Sequence, residues 1–280
     1  MSKIRVDSSV SAQNIKYINS FNLETKFYNQ IEFWDKYKNN MDETVRAEVT
    51  VNLIPKEVTS VLDVGCGNGT VTNMINRSFV VGLDIVRTPL TELKNHAIQG
   101  IINMMPIKPK KIDLILLTEV LEHLDDEMYS EAISEIKRLE SEYILITVPS
   151  DEDLKLDLCK CSVCGNLFNI NHHYRVFDKD NIQREFPEYN VTTIKYETYR
   201  IYPNRFLIKI KQTFGVYAYA KDAVCNKCGA SSIRPNNSLR YIFGGLNRLD
   251  RLFKRCLRRK KPYHLMILLK RKTVKVSEFG

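Results

Sequence analysis

The sequence has no long apolar run, and this absence limits what the chain can be. The longest uninterrupted apolar stretches have five residues, such as 265–269, whereas a membrane-spanning helix needs roughly 20 residues. The first 20 residues are polar and mixed and contain no apolar core of the kind found in signal peptides. We therefore expect neither a membrane span nor a secretory signal.

Glycine and proline are also scarce, with 11 and 9 residues among 280, which excludes a collagen-like or low-complexity chain. Hydrophobic residues make up 44% and charged residues 27%, as in an ordinary folded domain. The seven cysteines are odd in number, which argues against a framework of disulfides. Together with the missing signal, this predicts a reducing, cytoplasmic location, where close cysteine pairs bind metal more often than they form disulfides.

Charge is distributed unevenly along the chain. Residues 1–150 hold 16 Lys/Arg and 21 Asp/Glu, a balance of −5, and residues 151–280 hold 26 and 12, a balance of +14. A basic C-terminal part favours an anionic partner such as a nucleic acid, a phosphorylated carrier or a membrane surface. The alternative is a solvated face that only aids solubility.

Short apolar runs alternate with helical patterns between residues 61 and 148. The predicted strands are 61–64, 79–84, 100–105, 112–117 and 143–148, and a helix is predicted over 119–138. Alternation of this kind is typical of a parallel sheet covered by helices on both faces. The fold class is therefore α/β and doubly wound, with a ligand expected beyond the carboxyl ends of the strands.

A glycine-rich loop follows the first predicted strand. Gly65, Gly67 and Gly69 form a Gly-x-Gly-x-Gly pattern, which allows a sharp turn and close approach of a ligand. Asp84 ends the second strand, where a carboxylate can accept both hydroxyls of a ribose. Asp63, directly before the loop, would repel a pyrophosphate but suits a ligand that carries an ammonium group.

These segments resemble the class I S-adenosylmethionine (SAM)-dependent methyltransferases. Residues 61–69 resemble their first motif, Asp84 their ribose-binding acid, and residues 113–124 their fourth motif with the segment after it. The resemblance implies a Rossmann-like sheet of seven strands, with SAM as the cofactor. The cofactor-binding residues that it implies are Asp63, Gly65, Cys66, Gly67, Gly69, Asp84, Ile85, Ile102, Thr118 and Glu119.

The sequence departs from this family at one position. The family often has an Asp before the third strand to receive the adenine amino group, and Ile101 occupies the matching position here. We therefore expect main-chain groups and apolar packing near 101–105 to hold the adenine.

Two carboxylates and an imidazole follow the fourth strand. On a helix Glu119, Glu122 and His123 would be spaced i, i+3 and i+4 and would share one face. They could bind Mg²⁺ or Mn²⁺, with His172 or His173 as a further ligand, as in the metal-dependent RNA 2′-O-methyltransferases and quinone O-methyltransferases that this segment resembles. Alternatively, His123 or His173 acts as a general base with Glu122 beside it, or these residues only line the pocket.

Two Cys-x-x-Cys-Gly turns lie in the second half of the chain. Cys161, Cys164, Cys225 and Cys228 could complete a closed, tetrahedral and therefore structural Zn²⁺ site. A redox role for either pair is the alternative. The Cys-x-x-Cys-Gly segment also resembles a bacterial branch of these methyltransferases that is associated with glycan and secondary-metabolite assembly.

An amphipathic basic helix is predicted over 246–259, with Leu246, Leu249, Leu252 and Phe253 on one side. Three interpretations stay open: a helix packed on the sheet with a solvated basic face, an interfacial helix on anionic lipid at the inner membrane face, and a contact with a phosphate backbone.

Four segments summarise the predicted organisation. They are an N-terminal helical lid (1–50), the SAM-binding core (51–150), zinc-knuckle insertions with the sixth strand (151–240), and the basic helix with the last strand (241–280). The predicted activity is SAM-dependent O-methylation of a sugar, glycan-linked or small-metabolite hydroxyl. The alternatives are metal-dependent RNA 2′-O-methylation and a non-catalytic SAM-binding module that recruits a partner.

Overall fold

A computed structural model describes residues 28, 41–202, 204–220, 223–231, 239–256 and 261–273 of the chain. Its strands are β1 (Ser60–Val64), β2 (Phe79–Asp84), β3 (His96–Gln99), β4 (Leu114–Thr118), β5 (Tyr143–Pro149), β6 (Leu158–Lys160), β7 (Leu167–Asn169), β8 (Tyr189–Arg200) and β9 (Lys261–Arg271). Its α-helices are α1 (Met41–Asn52), α2 (Arg87–Leu90), α3 (Asp126–Arg138), α4 (Lys179–Glu185), α5 (Arg205–Thr213) and α6 (Arg240–Cys256). Short 3₁₀ helices cover Thr72–Met74 and Leu121–His123.

Seven strands form one sheet in the order β3-β2-β1-β4-β5-β9-β8. The pairs from β3 to β5 are parallel, whereas β9 runs antiparallel to both of its neighbours, β5 and β8. Since the order reverses between β1 and β4, the carboxyl ends of these two strands flank the crevice in which doubly wound sheets bind ligands. The predicted Rossmann-like fold class is confirmed.

The central strands are buried on both faces, as their continuous apolar sequences predict. Every residue of β5 is buried, and β4 is buried from Leu114 to Leu117. One core cluster joins Leu62, Ile115 and Ile146 to Ile136 of α3 and Ile267 of β9. A second cluster covers the opposite face. The core therefore fixes the carboxyl ends of β1, β2 and β4 relative to one another.

The third strand lies earlier in the chain than predicted. It is β3, His96–Gln99, and not residues 100–105. As an edge strand it pairs only with β2 and carries the polar His96 and Gln99, so it needs no apolar run. Ile102 and Met105 instead enter the core from the connection after β3.

The helix predicted over 119–138 is split into two parts. Residues Leu121–His123 form a 3₁₀ turn, and α3 begins only at Asp126, after Asp125 accepts a hydrogen bond from the Met128 N–H. A helix requires negative φ, and Glu119 has a φ of +55°. Glu119, Glu122 and His123 therefore do not share a helix face as the sequence predicted.

Two further predictions concern the ends of the chain. The lid predicted over 1–50 falls mostly outside the described residues, apart from Tyr28 and the start of α1. The basic helix begins earlier than predicted, at Arg240. In the part of the chain that the structure describes, no helix is long and apolar enough to span a membrane.

Candidate cofactor and acceptor site

A cavity of about 420 Å³ opens at the carboxyl ends of β1, β2 and β4. The predicted cofactor residues that line it are Gly65, Cys66, Gly67, Asp84, Ile85, Ile102, Thr118 and Glu119. Ile101 also lines it, in keeping with apolar packing where the resembling family often has an Asp. Asp63 and Gly69 do not line the cavity.

The glycine loop turns sharply below this cavity. The N–H of Gly65 donates to the Leu83 carbonyl at 2.7 Å, and Gly65 and Gly67 have φ of +72° and +53°. A Cβ at Gly65 would lie 2.4 Å from Cγ2 of Val120. Side chains are thus excluded here for both conformational and steric reasons, and the loop presents bare backbone to a ligand.

Asp84 is fixed at the cavity wall by main-chain donors. Its two carboxylate oxygens accept hydrogen bonds from the N–H groups of Gly67 and Val86, both at 2.8 Å. Burial raises the pKa of Asp84, although these two hydrogen bonds oppose the rise. Each oxygen keeps a further acceptor position, which suits a pair of ribose hydroxyls.

Asp63 does not line the cavity, although the sequence predicted that it would contact the ligand. It is fully buried below the loop, and its Oδ2 accepts a hydrogen bond from the Thr72 hydroxyl at 2.6 Å. Gly69 likewise faces Asn73. Both residues therefore hold the loop from beneath, because their atoms point into the protein and not into the cavity. Burial raises the pKa of Asp63 to about 7.

This raised pKa leads to a prediction for stability. The folded chain holds a proton on Asp63 that the unfolded chain releases near pH 4, so this residue makes stability fall as the pH rises from about 4 to about 7. Asp63→Asn removes that charge. We expect the variant to gain stability over the wild type by up to about 4 kcal/mol at pH 8 and by almost nothing at pH 4.

Urea unfolding at both pH values, without ligand, measures this difference. Asp113→Asn is the matched control with the opposite sign. Burial opposes ionisation of Asp113, but hydrogen bonds from Thr59 and Ser60 outweigh burial and lower its pKa, so that variant should lose stability at pH 8. An equal Asp63→Asn effect at both pH values would contradict the assignment.

Glu119 belongs to a buried polar network between the sheet and α1. Its Oε2 lies 3.3 Å from Nε2 of His264, and its Oε1 lies 3.9 Å from Nη1 of Arg46. The Nδ1 of His264 in turn lies 2.6 Å from the Thr198 hydroxyl. Burial opposes ionisation, but the charges of His264 and Arg46 outweigh it and hold the pKa of Glu119 well below its usual range. Glu119 is thus a fixed anion at the cavity wall.

The metal-ligating group that the structure assembles differs from the predicted one. Glu122, His123 and His173 offer ligand atoms within 4.8 Å of one another. His173, predicted as a further ligand, thus belongs to this group, whereas the predicted ligand Glu119 does not. Neither carboxylate oxygen of the buried Glu122 has a hydrogen-bond partner in the described part of the chain, and the same holds for Nδ1 of His123. Buried polar atoms normally have partners.

Burial has the largest effect on the pKa values of Glu122 and His123. It raises the pKa of Glu122 well above its usual value, and the negative charge of Glu119 adds to the rise. Burial also lowers the pKa of His123, and His173 adds to that shift. Without a cation, the site therefore favours a neutral acid and a neutral imidazole.

Glu152 is the site residue that sequence reasoning missed. Its Oε2 lies 2.5 Å from Nδ1 of His173, and both side chains are nearly fully buried. A carboxylate that accepts from one ring nitrogen orients the imidazole and leaves the other nitrogen as a base. The sequence signal for Glu152 is that an acidic residue stands shortly after the carboxyl end of β5.

The four predicted zinc ligands converge. The Sγ atoms of Cys161 and Cys228 are 3.7 Å apart, as are those of Cys164 and Cys225, and all four lie within 4.8 Å of one another. A tetrahedral ion with Zn–S bonds of about 2.3 Å separates its sulfurs by about 3.8 Å. The donor set and its spacing therefore fit Zn²⁺. Cys159 is buried beside this group but does not belong to it.

The second cysteine turn contacts the segment that carries His173. His172 Nε2 lies 2.7 Å from the Val224 carbonyl, and the Asn226 amide donates to the Tyr174 hydroxyl at 3.2 Å. The Tyr174 N–H in turn donates to the Glu122 carbonyl at 2.8 Å. The cysteine group thereby holds one wall of the cavity.

The sheet order, the glycine loop and Asp84 together define the architecture of a class I SAM-dependent methyltransferase. Comparison with known proteins agrees: residues 62–141 match the family described as a methyltransferase domain. Residues 62–141 thus match a methyltransferase domain, within a sheet whose strand order is that of the class I fold.

Two curated relatives illustrate the match. The ubiquinone biosynthesis O-methyltransferase of Bartonella quintana (strain Toulouse) is 36% identical over 27% of this chain and 35% of that protein. An uncharacterised protein of Methanocaldococcus jannaschii is 29% identical over 45% of this chain and 64% of that protein. The chain thus spans less than two thirds of either curated relative.

Among solved structures, the 1,6-didemethyltoxoflavin-N1-methyltransferase of Burkholderia thailandensis, with 1,6-didemethyltoxoflavin and S-adenosylhomocysteine bound, has a TM-score of 0.55 at 11% identity. The match covers 96% of this chain and 94% of that one. At this identity, the likeness concerns the fold.

Proposed function

We propose that this chain transfers the methyl group of SAM to a hydroxyl group of a small molecule. The observation that carries the proposal is the buried pair of Glu152 and His173, of which His173 lines the cavity together with the glycine loop and Asp84. A hydroxyl acceptor must lose a proton when it is methylated, and this pair provides a base for that proton. The ubiquinone biosynthesis O-methyltransferase named above supports a hydroxyl acceptor.

Residues at one end of the cavity bind the cofactor, and residues at the other end act on the acceptor. The backbone of the glycine loop and Asp84 hold the adenosine part, and the apolar residues near Ile101 pack against the adenine. SAM supplies a sulfonium-bound methyl group that is already activated for displacement. The protein therefore contributes alignment and exclusion of water, together with removal of a proton.

His173 acts at the acceptor end. Its Nδ1 stays bonded to Glu152, so its Nε2 receives the proton of the acceptor hydroxyl as the new C–O bond forms and the methyl–sulfur bond breaks. The products are a methyl ether and S-adenosylhomocysteine, and the proton on His173 passes to solvent. The Glu152 carboxylate stabilises the imidazolium in the meantime.

The first test separates cofactor binding from transfer. Calorimetry should show S-adenosylhomocysteine binding, and Asp84→Ala should lose most of it. Labelled SAM is then offered with two panels of acceptors, phenols and catechols in one, and sugar nucleotides and oligosaccharides in the other. A labelled methyl ether from either panel supports the proposal. The second panel also tests the sequence prediction that the acceptor is a sugar or a glycan. Binding without transfer to any hydroxyl would favour the non-catalytic module.

A second candidate mechanism uses a divalent cation. The buried, unpartnered carboxylate of Glu122 favours it, because Glu122, His123 and His173 offer one carboxylate and two imidazoles. This donor set suits a transition-metal ion such as Mn²⁺ better than Mg²⁺, which prefers oxygen ligands. Activity that is lost in EDTA and restored by Mn²⁺ would assign this mechanism and make an RNA 2′-hydroxyl worth testing as the acceptor. The zinc content is measured on the same samples, and activity that survives EDTA while the zinc content is unchanged supports His173 as the base.

We also propose that Cys161, Cys164, Cys225 and Cys228 hold a structural Zn²⁺. The supporting observations are the tetrahedral spacing of the sulfurs and the two glycines that follow the turns, Gly165 and Gly229, with φ of +74° and +67°. A closed set of four thiolates leaves no open position for substrate, so the ion would stabilise the fold.

A further inference from the structure

The helix α6 is amphipathic, but it does not dock through its apolar stripe. Its least exposed residues are Phe243, Asn247, Asp250 and Lys254, spaced i, i+4, i+7 and i+11 on one face. This face makes the contacts with the protein. Asp250 accepts from the Asn204 N–H at 3.0 Å, Lys254 donates to the Tyr202 carbonyl at 2.9 Å, and the Phe243 ring lies 6.0 Å from that of Phe214.

The apolar stripe lies about a third of a turn away from the docked face. It consists of Ile242, Leu246, Leu249 and Phe253, which are 63%, 43%, 64% and 65% exposed. Leu252 extends the stripe. The first interpretation in the sequence analysis, a helix that buries its apolar side against the sheet, is therefore wrong for this helix.

Exposed cations border the apolar surface on one edge. Arg248 and Arg255 stand four residues before and three residues after the exposed Leu252, so they lie next to it on the helix surface, and Arg251 is exposed on the flank opposite the stripe. Nearby α5 adds Phe206, which is 68% exposed, and the exposed Lys209. Bulky exposed apolar groups with arginines along one edge are the pattern of a helix that lies in the interface of an anionic bilayer.

We infer that α6, together with the start of α5, is a docking surface for an anionic lipid membrane. The apolar stripe would enter the boundary between headgroups and acyl chains, and the arginines would contact the lipid phosphates. Charge complementarity selects this partner. The stripe consists of aliphatic and phenyl side chains, which gain more from hydrocarbon than from stacking on bases, and this favours lipid over a nucleic acid.

The surface also adjoins the proposed active site. Arg200, the last residue of β8, lines the cavity, and only a short segment separates it from Asn204, which caps α5. A chain attached through α5 and α6 would therefore keep the cavity close to the membrane surface.

Vesicle flotation of the full chain tests this inference. At 0.1 M salt we expect partition onto vesicles of 70% phosphatidylcholine and 30% phosphatidylglycerol, and almost none onto pure phosphatidylcholine. Arg248→Glu with Arg255→Glu should lower the partition coefficient by about tenfold or more, as should Leu249→Ser with Phe253→Ser. High salt should weaken the binding.

Two controls match these variants. Lys108→Glu with Lys111→Glu reverses the same number of charges away from α6, and Met74→Ser removes an exposed apolar side chain elsewhere. Both should bind like the wild type. The inference would be overturned by equal binding to neutral and anionic vesicles or by no binding at all. It would also be overturned if light scattering showed a dimer that Leu249→Ser dissociates. These outcomes do not depend on methyl transfer, so they leave the proposed function untouched.

Discussion

Replacing His173 with alanine is expected to lower kcat by about 10²- to 10⁴-fold, the range that a general base contributes. The affinity for S-adenosylhomocysteine should change little, because His173 lies at the acceptor end of the cavity, away from Asp84 and the glycine loop. Glu152→Gln should cause a smaller loss, since the imidazole remains but its orienting carboxylate does not. Initial rates and calorimetry on the same preparations measure both quantities.

Added imidazole distinguishes a base from a structural residue. If His173 only supports the fold, free imidazole cannot restore activity to His173→Ala, whereas a missing base can be replaced in part by a small molecule in the vacated space. His96→Ala, in the edge strand β3, is the matched control and should retain full kcat. An unaltered kcat in His173→Ala, or a loss of S-adenosylhomocysteine binding equal to the loss of activity, would show that the assignment is wrong.

Removing zinc is the second change with a large expected effect. Structural zinc sites contribute on the order of 10–16 kcal/mol to the folding of small units, and this site joins two cysteine turns across a long intervening segment. Cys161→Ser, or a strong chelator, should abolish the bound metal and lower the melting temperature. It should also lower kcat, because Val224 and Asn226 contact His172 and Tyr174 on either side of His173.

Cys159→Ser provides the control for this experiment, because Cys159 is buried in the same small core but lies outside the four-sulfur group. It should keep about one zinc per chain and most of the activity. Elemental analysis in reducing buffer gives the metal content directly. Less than half an equivalent of zinc in the wild type would refute the site, and activity unaffected by chelation would refute its coupling to the cavity.

The parts of the site that could be predicted are those encoded locally. Gly65, Gly67 and Asp84 stand next to strands that the apolar pattern marks clearly, and each Cys-x-x-Cys turn is contained in a few residues. Convergence of the two turns could be inferred because a closed site needs four thiolates. For such features, neighbouring positions in the sequence are neighbours in space.

The remaining features depend on distant segments or on backbone conformation. Glu152, shortly after β5, reaches His173, and His264 of β9 reaches the cavity, through tertiary packing that no short motif records. Glu119 was placed on a helix because its spacing suited one, but its positive φ turns its carboxylate toward His264. In α6, the hydropathy pattern predicts an amphipathic helix but cannot tell which face the rest of the protein occupies.

The position of β9 has a consequence for how this enzyme can be made. Because β9 lies between β5 and β8 in the sheet, the strand that completes the acceptor wall with Tyr263 and His264 leaves the ribosome after both of its neighbours. The glycine loop and Asp84 belong to segments that emerge much earlier and pair with one another. A nascent chain could therefore form its adenosine pocket while its acceptor pocket is still incomplete. Until β9 inserts, the edges of β5 and β8 would be exposed and could pair with other strands.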